Sequence, residues 1–184
     1  MSLLRLIARL DIKGRNVTKG VQFEGLKIVG DAKEMALQYA GPEVPPENCA
    51  DELLFIDSVA SLYGRNQSEA LLEKVSNEIF VPITVGGGIA SKADARRLFN
   101  AGADKIAVNT AALKRPALIN ELADHFGSQA VVVSIEAKRV NDGWECYTDN
   151  GRNRTGTDAI IWSLDAVGRG AGELLITSVD RDGT

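Results

Sequence analysis

Short apolar runs alternate with stretches of helical periodicity along the whole chain. The runs at 5–11 (RLIARLD), 52–57 (ELLFID), 81–85 (VPITV), 104–109 (DKIAVN), 130–136 (AVVVSIE) and 173–178 (ELLITS) predict six strands. Most of these are apolar on both faces, as expected of parallel strands covered on either side. Between them, the spacing of apolar positions predicts helices at 31–40, 67–79, 91–101, 115–126 and 157–169. GDAKE (30–34) and GTDAI (156–160) place an aspartate in the first helical turn, where it suits the positive end of the helix dipole. One stretch breaks the rhythm. Residues 138–155 (KRVNDGWECYTDNGRNRT) read as a small β-hairpin inserted after the fifth strand and turning at Asn141-Asp142-Gly143.

Repeated βα units with short connections predict an α/β fold. An internal repeat narrows that choice. ADELL at 50–54 returns as AGELL at 171–175, and LIARLDIKGRNV (6–17) is echoed by VVSIEAKRVNDG (132–143), so that Asp11 corresponds to Glu136. Two repeats of about 120–125 residues make a parallel (βα)8 TIM-type barrel of about 250 residues. Residues 1–184 are read as one barrel domain with about six βα units present and the seventh and eighth absent. Strands one and six would then carry open edges and favour self-association. A flavodoxin-like open sheet shares the βα rhythm and is the structural alternative.

Composition excludes some classes of function. The net charge of −4 and pI near 5.1 argue against a nucleic-acid-binding protein, which needs a basic surface. No apolar run approaches the ~20 residues that cross a bilayer, and the opening residues do not read as a signal peptide. Cys49 and Cys146 fit no metal or disulfide spacing, which predicts a reducing cytoplasm and no metal or other cofactor. The single histidine, His125, falls late on a predicted helix, so the chemistry must run on carboxylates.

In a barrel of this kind the active site lies at the C-terminal strand ends. Those ends carry Asp11, Asp57, Gly86-Gly87-Gly88, Asn109-Thr110, Glu136 and Asp180-Arg181-Asp182. Asp11 and Glu136 end strands in opposite halves, which suits an acid and a base working on two sides of one substrate. Asp182 is placed with them as a third acid of the mouth. VGGGI (85–89) follows a strand and opens a helix, so its glycines let backbone N–H groups approach an anion. Gly87, Gly88, Asn109 and Thr110 together form a candidate phosphate cradle.

Five ordered motifs carry a family resemblance: RLIARLDIKGRNVTKGVQF, VGGGI, GADKIAVNTAA, FGSQAVVVSIEAKRV and GAGELLITSVDRDGT. Across essentially the whole chain they resemble the cyclase subunits of imidazole glycerol phosphate synthase in histidine biosynthesis. The resemblance implies a lyase. Ammonia from a glutaminase partner attacks a phosphoribulosyl-formimino intermediate, giving imidazole glycerol phosphate and an aminoimidazole carboxamide ribotide. It implies Asp11 and Glu136 as the catalytic pair and Lys19 on a mobile loop over the substrate. Gly88, Asn109 and Thr110 fall in a phosphate site. Arg5, Glu52, Lys105 and Glu173 fall in a charged ammonia gate at the N-terminal face, where the glutaminase docks. Three departures stand out. Glu136 replaces the usual aspartate, and Arg9 stands where the family has a small residue. The connection GPEVPPEN (41–48) is long and proline-rich. Alternation along the strand sends Arg9 inward with Asp11, so Arg9 is expected to pair with Asp11 or Glu136 and to lower the carboxylate pKa. The departures leave two other readings. One is a related ammonia-using barrel acting on another phosphorylated or nucleotide-sugar substrate. The other is a phosphate-binding barrel fragment without turnover.

Overall fold

The structure, a computed structural model, describes residues 4–21, 24–58, 60 and 68–184. Six parallel strands form its frame: β1 (Ile7–Lys13), β4 (Glu52–Asp57), β5 (Ile83–Gly86), β6 (Lys105–Val108), β7 (Val131–Val140) and β10 (Glu173–Ser178). Each pairs with the next in chain order, β1-β4-β5-β6-β7-β10. A doubly wound sheet reverses direction at a switch point. This one never does, so the flavodoxin-like alternative is set aside and the sheet is an arc of a (βα)8-type barrel.

The barrel is not closed by backbone pairing, because β10 bonds only to β7 among the described strands. Side chains span the gap instead. Arg5, just before β1, bonds to Glu173 (Nη2–Oε2 2.9 Å). Four residues further along both strands, Arg9 Nη1 donates to Thr177 Oγ1 at 3.0 Å. Above them Lys19 Nζ stands 4.0 Å from Asp182 Oδ1.

Helices cover the outside of the arc: α1 (Ala32–Ala40), α2 (Ser68–Val75), α3 (Lys92–Asn100), α4 (Thr110–Lys114), α5 (Ala117–Phe126) and α6 (Ala159–Gly168). Residue 67, where the second helix was expected to begin, lies outside the described residues. Leu53 and Phe55 of β4 are fully buried with Leu72, Leu98, Leu118 and Leu122 of the helices. The alternate residues Glu52, Leu54 and Ile56 face the interior of the arc, as the period of two requires. The aspartates of GDAKE and GTDAI prove to be N-caps rather than first-turn residues. Asp31 accepts from the backbone N–H of Lys33 and Glu34, and Asp158 from those of Ile160 and Ile161.

The irregular segments differ most from expectation. The first loop is a β-hairpin, β2 (Asn16–Val21) and β3 (Glu24–Asp31), with Val17 and Thr18 buried. After β7 the chain turns at Asn141-Asp142 (φ +49° at Asn141) into β8 (Gly143–Thr148). A third antiparallel strand follows, β9 (Asn153–Asp158), and runs up to the cap of α6.

Candidate active site

A cavity of about 350 Å³ opens at the C-terminal strand ends and is lined by Gly87, Gly88, Asn109, Thr110, Glu136 and Asn150, among others. Gly87 (φ +109°) and Gly88 (φ +69°) make the turn after β5. A Cβ at Gly87 would stand 2.4 Å from the Asp57 carbonyl oxygen, so only glycine lets this turn lie against the end of β4. Asn109 faces the cavity with a buried amide oxygen that has no hydrogen-bond partner among the described residues. That oxygen is left for a donor on a ligand.

Glu136 lies near the end of the buried part of β7 and is 8% exposed. Its Oε2 accepts from the Gly151 backbone N–H at 2.9 Å. Burial pushes its pKa above the ordinary glutamate value and outweighs the Gly151 bond, the positive charge of Arg9 and a bond from Asn109. The expected lowering of a carboxylate pKa by Arg9 therefore fails for Glu136, because desolvation wins. Arg9 itself points inward, as alternation requires, and of the two acids it contacts Asp11 (Nε–Oδ1 2.9 Å). Its other nitrogen reaches Thr177, the cross-strand neighbour of Glu136. One guanidinium thus lies between the two acids.

The two acids do not share a cavity. Asp11, Arg9, Lys19 and Asp182 line a second, narrow cleft, and among the described residues only Ile56 and Asn150 border both hollows. Lys19 sits on β2 of the first-loop hairpin, over half exposed. Asn150, Asp149 and Ser58 went unread in the sequence. The signal was the tripeptide Asp149-Asn150-Gly151, a turn-forming composition within the segment taken as a plain hairpin.

At the opposite end the four charged residues expected there do come together. Glu52 Oε2 receives Arg5 (3.2 Å) and Lys105 (2.8 Å), while Glu173 receives Arg5 (2.9 Å) and Lys105 (2.8 Å). Thr84 Oγ1 donates to the remaining Glu52 oxygen at 2.5 Å. Bonds to Arg5, then to Lys105, hold the Glu173 carboxyl below the ordinary range in spite of partial burial. Burial works against the Lys105 charge, but its bonds to Glu173 and Glu52 win and raise its pKa.

The remaining candidates are peripheral. His125 is exposed on the last turn of α5 and meets Arg96 (2.8 Å). Burial raises the Cys146 thiol to about 11, which leaves it an inert core residue. No helix among the described residues is long and apolar enough to cross a membrane.

Comparison with known proteins shows the family. The family model described as histidine biosynthesis protein matches residues 5–184. The chain is 54% identical over 185 residues to imidazole glycerol phosphate synthase subunit HisF of Legionella pneumophila, spanning 100% of this chain and 84% of that relative. It is 47% identical over 179 residues to the subunit HisF of Myxococcus xanthus (strain DK1622), spanning 97% of this chain and 68% of that relative. The chain belongs to the histidine biosynthesis protein family, where it stands with the cyclase subunits of imidazole glycerol phosphate synthase.

Proposed function

We infer that the cyclase reaction runs at the C-terminal mouth of the arc, with Asp11 and Glu136 as its acid–base pair. Ammonia condenses with the ribulosyl carbonyl of the phosphoribulosyl-formimino substrate and expels water. The formimino C–N bond to the aminoimidazole carboxamide ribotide then breaks as the imidazole ring closes. Glu136, which holds its proton to higher pH than an ordinary glutamate, suits the donor to the departing nitrogen. Asp11, against Arg9, suits the acceptor on the ammonia side, with Asp182 and Lys19 beside it. Gly87, Gly88, Asn109 and Thr110 would take one phosphate. The observation that carries this reading is the placement of both acids at one end of the arc, around one guanidinium and beside the cavity at the strand ends.

The N-terminal face is the proposed docking site for a glutaminase, with Arg5, Glu52, Lys105 and Glu173 as the ammonia gate. Leu4, Leu6 and Phe80, all at that end and 98%, 65% and 84% exposed, suit a protein partner. The open edge of β10 and the exposed Ile160, Ile161 and Leu164 of α6 favour association between copies. A cytoplasmic setting fits the free thiols.

The test is turnover of the phosphoribulosyl-formimino substrate with an ammonium salt and no glutaminase. Activity that disappears in Asp11→Asn and in Glu136→Gln is expected. Turnover unchanged in both variants would overturn the assignment. Arg9 favours a second reading, a barrel acting on another phosphorylated or nucleotide-sugar substrate, because its guanidinium fills interior space beside Asp11. Under that reading such a compound, and not the formimino substrate, raises the melting temperature. A barrel that binds inorganic phosphate and turns over neither would be a binding fragment.

A further inference from the structure

We propose that the Asp149–Gly151 turn between β8 and β9, pinned by Asn150, is a positioning element of the active site: its backbone holds the Glu136 carboxyl, and Asn150 stands between the two acids. The link to turnover rests on the proposed role of Glu136; the positioning itself does not.

A hairpin connector needs only to reverse the chain, and the bond from Arg152 N–H to the Thr148 carbonyl (3.1 Å) already does that. This turn makes three further bonds, each to the end of a different barrel strand. Asn150 Nδ2 donates to the Ser58 carbonyl after β4 at 2.7 Å. The Asp149 N–H donates to Thr110 Oγ1 after β6 at 3.3 Å, and the Gly151 N–H to Glu136 on β7 at 2.9 Å. Asn153 Nδ2 braces the Asp149 carboxylate from behind at 2.7 Å.

The backbone is unusual as well. Asp149 (φ +54°), Asn150 (φ +59°) and Gly151 (φ +70°) are successive left-handed residues. Each left-handed position costs an ordinary side chain about 1–2 kcal/mol, and Asn, Asp and Gly bear it best. This conformation aims two backbone N–H groups and one amide side chain at the mouth. Asn150 is also one of the two described residues that border both hollows.

Glu136 feels charge from every side of this enclosure. Arg9 faces it from β1 and Asp149 from the turn. Asp57 of β4 and Lys114 of α4 line the same cavity, and Tyr147 lies opposite on β8. Among these the Gly151 N–H is the contact that depends on the turn staying down. A carboxylate that loses a backbone donor binds its proton more tightly.

The test compares the intact chain with Asn150→Gly, which keeps the left-handed backbone and removes the pin. The Glu136 carboxyl carbon is titrated by NMR in glutamate-labelled protein, with Glu136→Gln identifying the signal. Loosening the turn is expected to raise the midpoint by roughly 0.5–1 pH unit. Asn150→Asp, isosteric but unable to donate to the Ser58 carbonyl, should raise it at least as far. The matching limb of the turnover profile should move with it, with KM within about twofold of the parent. A midpoint in folded Asn150→Gly that coincides with the parent's overturns the proposal. A midpoint that moves while Glu136→Gln still turns over leaves the positioning intact and removes Glu136 from the chemistry. Should Asn150→Gly not fold, the parent protein supplies the readout. The Gly151 amide proton should titrate with the Glu136 midpoint, and a flat Gly151 shift overturns the proposal equally.

Discussion

The floor and the mouth of the arc are built from the same charged residue types, on strands of one sheet, and treat them in opposite ways. At the floor two cations and two carboxylates alternate, and each carboxylate receives both cations. At the mouth Asp11 has Arg9, while Glu136 is held by a backbone N–H and an amide in a buried position. Glu173 and Glu136 lie on the paired strands β10 and β7, yet one carboxyl is held below its ordinary pKa and the other pushed above it. A glutamate met directly by cations keeps a fixed charge and serves the scaffold. A glutamate met by low dielectric and neutral donors holds its proton to higher pH than an ordinary one. The raised carboxyl lies at the end where the reaction is proposed to run.

The largest test of this contrast pairs Glu52 with Glu136. Glu52 is 3% exposed and takes Arg5, Lys105 and Thr84. Replacing it with alanine leaves Arg5 and Lys105 to share Glu173 alone, and removing one partner of a buried ion pair costs about 3–5 kcal/mol. Urea denaturation should show that loss; a change below ~1 kcal/mol would make the ring equivalent to a surface pair. Glu136→Gln should do the reverse. Turnover should fall by about 100- to 10,000-fold, the usual worth of a general acid or base. Stability at neutral pH should hold or rise, because an acid with a raised folded pKa opposes folding once ionised. A Glu136→Gln protein with full turnover and a lowered urea midpoint would invert the comparison.

Arg9 is the cation that joins the two regimes, and its removal should be intermediate. Arg9→Met deletes the bonds to Asp11 and Thr177 while keeping much of the apolar stem. Lost hydrogen bonds to a charged group cost about 1.5–3 kcal/mol. The nearby positive charge also favours ionised Glu136, so its midpoint should rise further in Arg9→Met. Carboxyl NMR would read that rise. A midpoint that falls would show that the arginine stem, and not its charge, governs Glu136.

The parallel frame was legible because burial on both faces leaves a continuous apolar signature. ELLFID became β4 and VVVSIE the first part of β7, with the end of the latter moved by a few residues. The floor was legible through the resemblance and through the placement of its four charges at or near strand starts. What stayed hidden depends on long-range bonds. The β2–β3 hairpin has a mixed polar composition, and its register is set by pairing with β1. Asn150 is informative only because the Ser58 carbonyl lies 92 positions away in sequence and 2.7 Å away in space. Pairing between Arg9 and Asp11 could be read from alternation. The rise in the Glu136 pKa could not, because it follows from the depth of burial, and sequence carries no measure of depth.

The smallest effect separates the two glutamates most cleanly. Glu173 is about a third exposed, so its ring bonds contribute on the order of 1 kcal/mol. Its folded pKa lies below the ordinary 4.5, so that contribution is present above the unfolded value and is lost as pH falls through the folded one. Glu173→Gln should therefore be less stable than the parent at pH 7 and approach it in acid. Glu136→Gln should start from the other side. Its folded pKa lies above 4.5, so the parent's penalty grows as pH rises through the unfolded value and is complete above the folded one. The two variants should bracket the parent at neutral pH and converge on it in acid, once the pH has fallen through the folded value of Glu173. Urea titrations at a series of pH values read both curves in one experiment. If both variants lie on the same side of the parent at pH 7, floor and mouth do not differ in the way their carboxyl environments require.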